Sequence, residues 1–151
     1  MKKLVFITLT IMLALSACGT KKVESKYHFG YDLDYIQENF PIDNLEFKTK
    51  SDTHIFYKHN EYEYVTFCMY KDTEYIDYIM ISANSKEDMI RYFELIEEEF
   101  DLFENDEELL DDLKHKEKVS DYYDGTKVGV LEPGDIWLSY SIEMHRTEIS
   151  E

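Results

Sequence analysis

Basic residues are scarce in this chain. Of its 151 residues, 16 are Lys or Arg against 33 Asp or Glu, a formal net charge of −17. That field repels phosphate, so nucleic acid is excluded as a partner. It also disfavours anionic lipid headgroups and wall polyanions as ligands of the folded part, and favours a cation or a basic protein or peptide. Glycine and proline are few as well, with five and two copies. There is no Gly-x-Ser-x-Gly elbow and no glycine-rich phosphate loop, so a nucleotide cradle would be hard to build. Five histidines occur, but His54 and His59 stand five apart across a turn, which is not a helical pair. Neither His-Glu-x-x-His nor a paired-cysteine zinc pattern is present. These absences leave no catalytic constellation, and the expectation is a non-enzymatic protein with no cofactor or metal.

What is present is enough apolar material for a core. The chain is 44% hydrophobic and 15% aromatic, and its length suits one domain. Met1-Lys2-Lys3 is a short positive region, and Leu4 to Ala17 then runs without a charge. Fourteen helical residues rise about 21 Å, short of the roughly 30 Å hydrocarbon core, so a secretory signal peptide fits better than a permanent span.

The run closes on Leu15-Ser16-Ala17-Cys18. This resembles the lipobox of bacterial lipoproteins: a branched apolar residue, two small residues and the cysteine that carries the lipid. The resemblance covers residues 1–18 only. It implies a diacylglycerol on the Cys18 thiol and cleavage between Ala17 and Cys18. Two acyl chains on one residue give stable anchoring where one chain is marginal. The expected partition is a signal peptide at 1–17, a lipidated cysteine and polar spacer at 18–30, and one small α+β domain at 31–151. Losing Lys2 and Lys3 would leave 14 basic against 33 acidic residues, a net −19. With Cys18 acylated, Cys68 has no disulfide partner and reads as a small buried hydrophobe. Gly19 in place of Asp, with a Lys-, Asn-, Ile- and Tyr-rich composition, favours the outer face of a Gram-positive membrane.

Within the domain, Asp32 caps a short helix to Phe40, stopped by Pro41. An extended passage through Leu45 and Phe47 is followed by strands at about 53–58, 62–70 and 75–83. A four-residue loop at Lys71–Glu74 pairs Tyr70 with Tyr75. One face then carries Val65, Phe67, Met69, Ile76, Tyr78 and Met80. The other carries Tyr62, Tyr64, Thr66, Tyr70, Tyr75, Ile79 and Ile81, with Cys68 and Asp77. This second face is either covered by another layer or a tyrosine-lined recognition surface. Ser85-Lys86-Glu87-Asp88 resembles a capping box. It opens a helix with Met89, Phe93, Ile96, Phe100 and Phe103 on one stripe. A second helix spans about 106–118, with acids first and lysines last as the helix dipole prefers. Asp121–Gly125 reads as a loop. The chain ends in a hairpin, 127–131 and 136–144, around Pro133-Gly134. Its last strand turns Ile136, Leu138, Tyr140, Ile142 and Met144 inward, and Trp137, Ser139, Ser141 and Glu143 outward. The expected fold is α+β, an antiparallel sheet made of a three- or four-strand meander plus a C-terminal hairpin, packed against two or three helices.

Residues 97–112 hold ten carboxylates. No glycine occurs there for the sharp turn of a calcium loop. The acids stand either as a solvated helix face or as a docking face for a basic partner. The candidate partner-binding residues are Glu97, Glu98, Asp101, Glu104, Asp106 and Glu108, with Trp137 as an exposed aromatic anchor. The expected function is an extracytoplasmic, membrane-anchored lipoprotein that binds a basic protein, as an immunity or exclusion factor would. An envelope or transporter-associated accessory lipoprotein binding a small ligand is the alternative.

Overall fold

The computed structural model describes residues 28–40, 44–70, 74–103, 106–116, 118–133 and 139–146. The signal peptide, Ala17, Cys18, Glu104 and Trp137 lie outside the described residues.

Alternation of apolar and polar side chains over short β-branched and aromatic runs produces the strands. They are β1 (Glu46–Lys50), β2 (His54–Lys58), β3 (Tyr64–Cys68), β4 (Tyr78–Ala83), β5 (Ser120–Tyr123), β6 (Thr126–Leu131) and β7 (Tyr140–Arg146). All seven join one antiparallel sheet in the order β1-β2-β3-β4-β7-β6-β5. Three helices accompany it: α1 (Leu33–Asn39), α2 (Lys86–Phe100) and α3 (Asp106–His115). α2 and α3 form the crossover from β4 to β5, and the second meander returns β7 to the side of β4.

This corrects the expected sheet of a three- or four-strand meander plus a hairpin. The sheet is a single one of seven strands. The added strand is β5, within the stretch expected to be loop. Asp124 and Gly125 take φ of 46° and 74°, while Tyr123 pairs with Thr126. Two left-handed residues between paired strands make the tight turn whose twist matches a hairpin.

β4 is also corrected. Cys68 pairs with Tyr78 and Phe67 with Ile79, one residue away from the expected register. A one-residue slip sends every side chain to the opposite face. Ile79 and Ile81 are therefore buried with Val65 and Phe67, and Tyr78 and Met80 stand on the other face. The amide of Tyr70 donates to the buried Asp77 carboxylate at 2.9 Å, and Asp77 N–H donates to Cys68 O at 3.0 Å. Ile76 is drawn instead to residues 29–31, through Phe29 N–H to Ile76 O at 2.9 Å and Ile76 N–H to Tyr31 O at 2.8 Å. Phe29 is only 1% exposed, so the packed core already includes part of the stretch read as spacer.

The core lies between the helices and one sheet face. Phe40, after α1, stacks on Tyr57 with ring centroids 4.0 Å apart, and Phe100 of α2 meets Phe67 at 6.1 Å. From α3, Asp112 accepts from Tyr123 at 2.5 Å. The pairing registers put Tyr57, Phe67 and Tyr123 on the same face, so all three helices cover one side. No described helix lies over the opposite face, whose middle row runs Phe56, Thr66, Met80, Glu143, Gly129. Ser139 and Ser141, expected to be wet, are buried; Ser141 pairs with Ser82 on this opposite face, and Ser82 Oγ donates to Ser139 Oγ at 2.8 Å.

Candidate functional site: an acidic groove where the two long helices meet

Ser85 caps α2 by accepting from Asp88 N–H at 3.0 Å, as the capping-box pattern implies. Its apolar stripe then drives Met89, Phe93, Ile96 and Phe100 into the core. The helix ends at Asp101, in the left-handed region with φ 47°. An aspartate tolerates this conformation better than most residues. Its amide donates to Glu97 O at 2.8 Å.

Glu97 sits one turn before that end, and its side chain points inward. Leu102 N–H donates to Oε2 at 3.2 Å and Phe103 N–H to Oε1 at 3.0 Å. Amides past the end of α2 thereby receive a side-chain acceptor in place of water. The same link is held from two other sides. The Tyr31 hydroxyl donates to Phe100 O, and Arg146 Nη2 donates to Leu102 O at 2.9 Å. Burial pushes the Glu97 carboxyl up to about 7; the two amides oppose that rise, and Asp106 and Asp101 add to it.

Around this link lies a groove of about 460 Å3 lined by Glu94, Glu97, Glu98, Asp101, Phe103 and Asp106. Five of its six described lining residues are acidic, and none of the six is a cation. A buried carboxylate titrating near neutrality in a cleft is the usual signature of a general acid or base. Here both oxygens are engaged by backbone amides, so Glu97 is a structural brace. Glu98 and Asp101 are exposed and Asp106 is half-buried. The Lys114 ammonium pairs with Glu94 at 2.9 Å.

The structure thus brings together Glu97, Glu98, Asp101 and Asp106 of the expected set. Glu108 is exposed on α3 but does not line the groove. Trp137 is outside the described residues. Sequence reasoning missed Glu94 and Phe103 as lining residues. Glu94 was legible, since it stands four before Glu98 and so shares its face of the helix.

No protein-family model, no curated protein and no solved structure matches this chain. Among the described residues, no group of three His, Cys, Asp or Glu is placed to hold a metal ion. No described helix is long and apolar enough to cross a membrane. Cys68 is a buried free thiol, and burial, the largest influence on it, raises its pKa, which lowers the thiolate fraction.

Proposed function

We propose that this chain is a lipid-anchored, extracytoplasmic binding protein that captures a basic protein or peptide in its acidic groove. The observation that carries the reading is the groove lining, with carboxylates from both α2 and α3 and no Lys, Arg or His among its described residues. Phe103 adds an apolar patch on which the stem of a lysine or arginine side chain can rest. The chain's net charge of −17 would steer a cationic partner inward and speed its capture. The anchor part of the reading is supported by the charge-free Leu4–Ala17 run and by Leu15-Ser16-Ala17-Cys18. An immunity or exclusion factor is the sharper form, since either must intercept a factor outside the membrane. The alternative, an accessory lipoprotein for a small ligand, is weakened by the same lining, because small-molecule pockets are mostly apolar.

Immobilised chain would be exposed to secreted and envelope proteins at low and high salt, beside a triple variant Glu94→Gln, Glu98→Gln, Asp101→Asn. Basic proteins held by the parent, released by salt and lost by the variant are the expected result. Retention that ignores both salt and the variant would remove the groove from the mechanism. The mass of the chain recovered from membranes tests the anchor separately, since acylation adds a diacylglycerol to Cys18.

A further inference from the structure

Residues 28–31 lead from the N-terminal segment into the fold, and they touch the groove from behind. Phe29 and Tyr31 flank Ile76 through two backbone hydrogen bonds, and both side chains are buried. The Tyr31 hydroxyl donates to Phe100 O, at the end of α2. The Phe29 ring faces Arg146, whose guanidinium carbon is 5.2 Å from the ring centroid and whose Nη2 holds Leu102 O. These contacts back the link after α2, which carries Asp101 and Phe103 into the groove lining. Beside them, the half-buried His28 makes a bond that only one protonation state allows. Gly30 N–H donates to His28 Nδ1 at 3.0 Å. An amide N–H cannot accept, so Nδ1 must keep its lone pair and the ring must be neutral. The bond closes a tight turn in which Gly30 takes φ 88°, a conformation that suits glycine. The ring stacks on Tyr75 with centroids 4.6 Å apart. The charges that face it are Arg146 at the end of β7 and Asp77 on the approach to β4. Burial pushes the His28 pKa below its ordinary value, Arg146 adds to that fall, and Asp77 opposes it.

We propose that residues 28–31 are a strap that acid loosens, with His28 as its clasp and the groove link as the structure it steadies. Protonation at Nδ1 takes up the lone pair, so the Gly30 amide loses its acceptor and a new positive charge faces Arg146. Freed from the fold, His28 returns to a pKa of about 6.5. The clasp therefore contributes in full above about pH 6.5 and is lost as pH falls through the lower folded value. A single proton is involved, so the opening equilibrium rises by no more than about tenfold per pH unit. Burial of Phe29 and Tyr31 keeps the closed form in the majority, and acid acts on how often the strap opens. Glu97 titrates nearby with the opposite sign, and variants at His28 separate the two. The effect on capture rests on the groove reading above, whereas the loosening itself does not.

Amide exchange of the full chain in detergent tests it, followed by NMR at about pH 7.5 and about pH 5.5, either side of the ordinary histidine value. After correction for intrinsic rates, the Phe29 and Ile76 amides should lose protection several-fold at the lower pH, relative to the paired amides of β3 and β4. His28→Asn keeps an acceptor, since an asparagine oxygen reaches the amide two residues on, and it cannot be charged. It should hold the strap at both pH values. His28→Ala has no acceptor and should be loose at both. Strap amides in the parent that are as protected at the lower pH as at the higher overturn the proposal. So does a His28→Ala chain as tight as the parent near neutrality. Binding of an oligolysine peptide is the second readout, and its affinity should fall with acid further in the parent than in His28→Asn. An equal fall in both would detach the strap from the groove. A strap that loosens while neither chain binds the peptide supports the clasp and counts against the groove reading alone.

Discussion

A carboxylate on the buried side of a helix is costly, and Glu97 shows what offsets the cost. Its oxygens accept from two amides past the end of α2, yet burial still raises its pKa from 4.5 to about 7. The folded state therefore holds this proton more tightly than the unfolded chain does. Below about pH 4.5 both states are protonated and the stabilisation relative to the ionised protein is complete. It is lost as pH rises through the folded value near 7. Thermal melts between about pH 5 and pH 8 should show the melting temperature falling toward the alkaline end. In Glu97→Gln that slope should shrink, since the titrating group is gone. Equal slopes in parent and variant would assign the pH response to other residues. A second test concerns Tyr57. Its ring stacks on Phe40, and its buried hydroxyl has no partner among the described residues. Tyr57→Phe should be neutral or stabilising by up to about 1 kcal/mol, because an unsatisfied buried hydroxyl is costly. A loss of stability in chemical denaturation would mean the hydroxyl is bonded after all.

At the scale of elements, the turn between β5 and β6 shows how much rides on two residues. Gly125 has φ 74°, a conformation a side chain raises in energy. Gly125→Ala should cost about 1 kcal/mol. Hydrogen exchange should show the loss first in the amides of β5 and β6. Protection unchanged in that hairpin would show that β5 is held by its packing on α3. The Asp-Gly signal was legible in the sequence, and only its weight was misjudged. The start of α2 was legible because Ser85 and Asp88 make a local contact that four residues specify. The register of β4 was not, because it is set by Asp77 reaching the Tyr70 amide and by Ile76 pairing with residues far back in the chain. No local pattern carries that information. The groove was half legible. Its exposed acids follow from the polar face of α2, whereas the inward turn of Glu97 depends on amides of the link that only the folded chain brings to it. Its spacing did hold a hint, four residues after Phe93 and seven after Ile90, both buried.

For the whole molecule, the excess of acid is concentrated where the helices meet, and that has a consequence for stability as well as for recognition. Like charges held on one layer of a compact domain repel one another more than they do along an expanded chain. Few cations answer them there: Lys114 pairs with Glu94, Lys116 with Asp112 and Arg91 with Asp88. Surface pairs of this kind contribute little each. Net repulsion should therefore prevail at low salt, and added sodium chloride should raise the melting temperature as the screening length falls from about 10 Å toward 3 Å. A change of about 1 kcal/mol corresponds to roughly 4 °C for a domain of this size. The groove accounts for part of that repulsion, so Glu98→Gln with Asp101→Asn should melt higher than the parent at low salt and converge with it at high salt. The same two residues are expected to contact the basic partner, which sets stability and binding in opposition at one place. If the double variant melts no higher than the parent at low salt, the groove acids are already neutralised by their surroundings. The groove would then have little spare field with which to attract a cation.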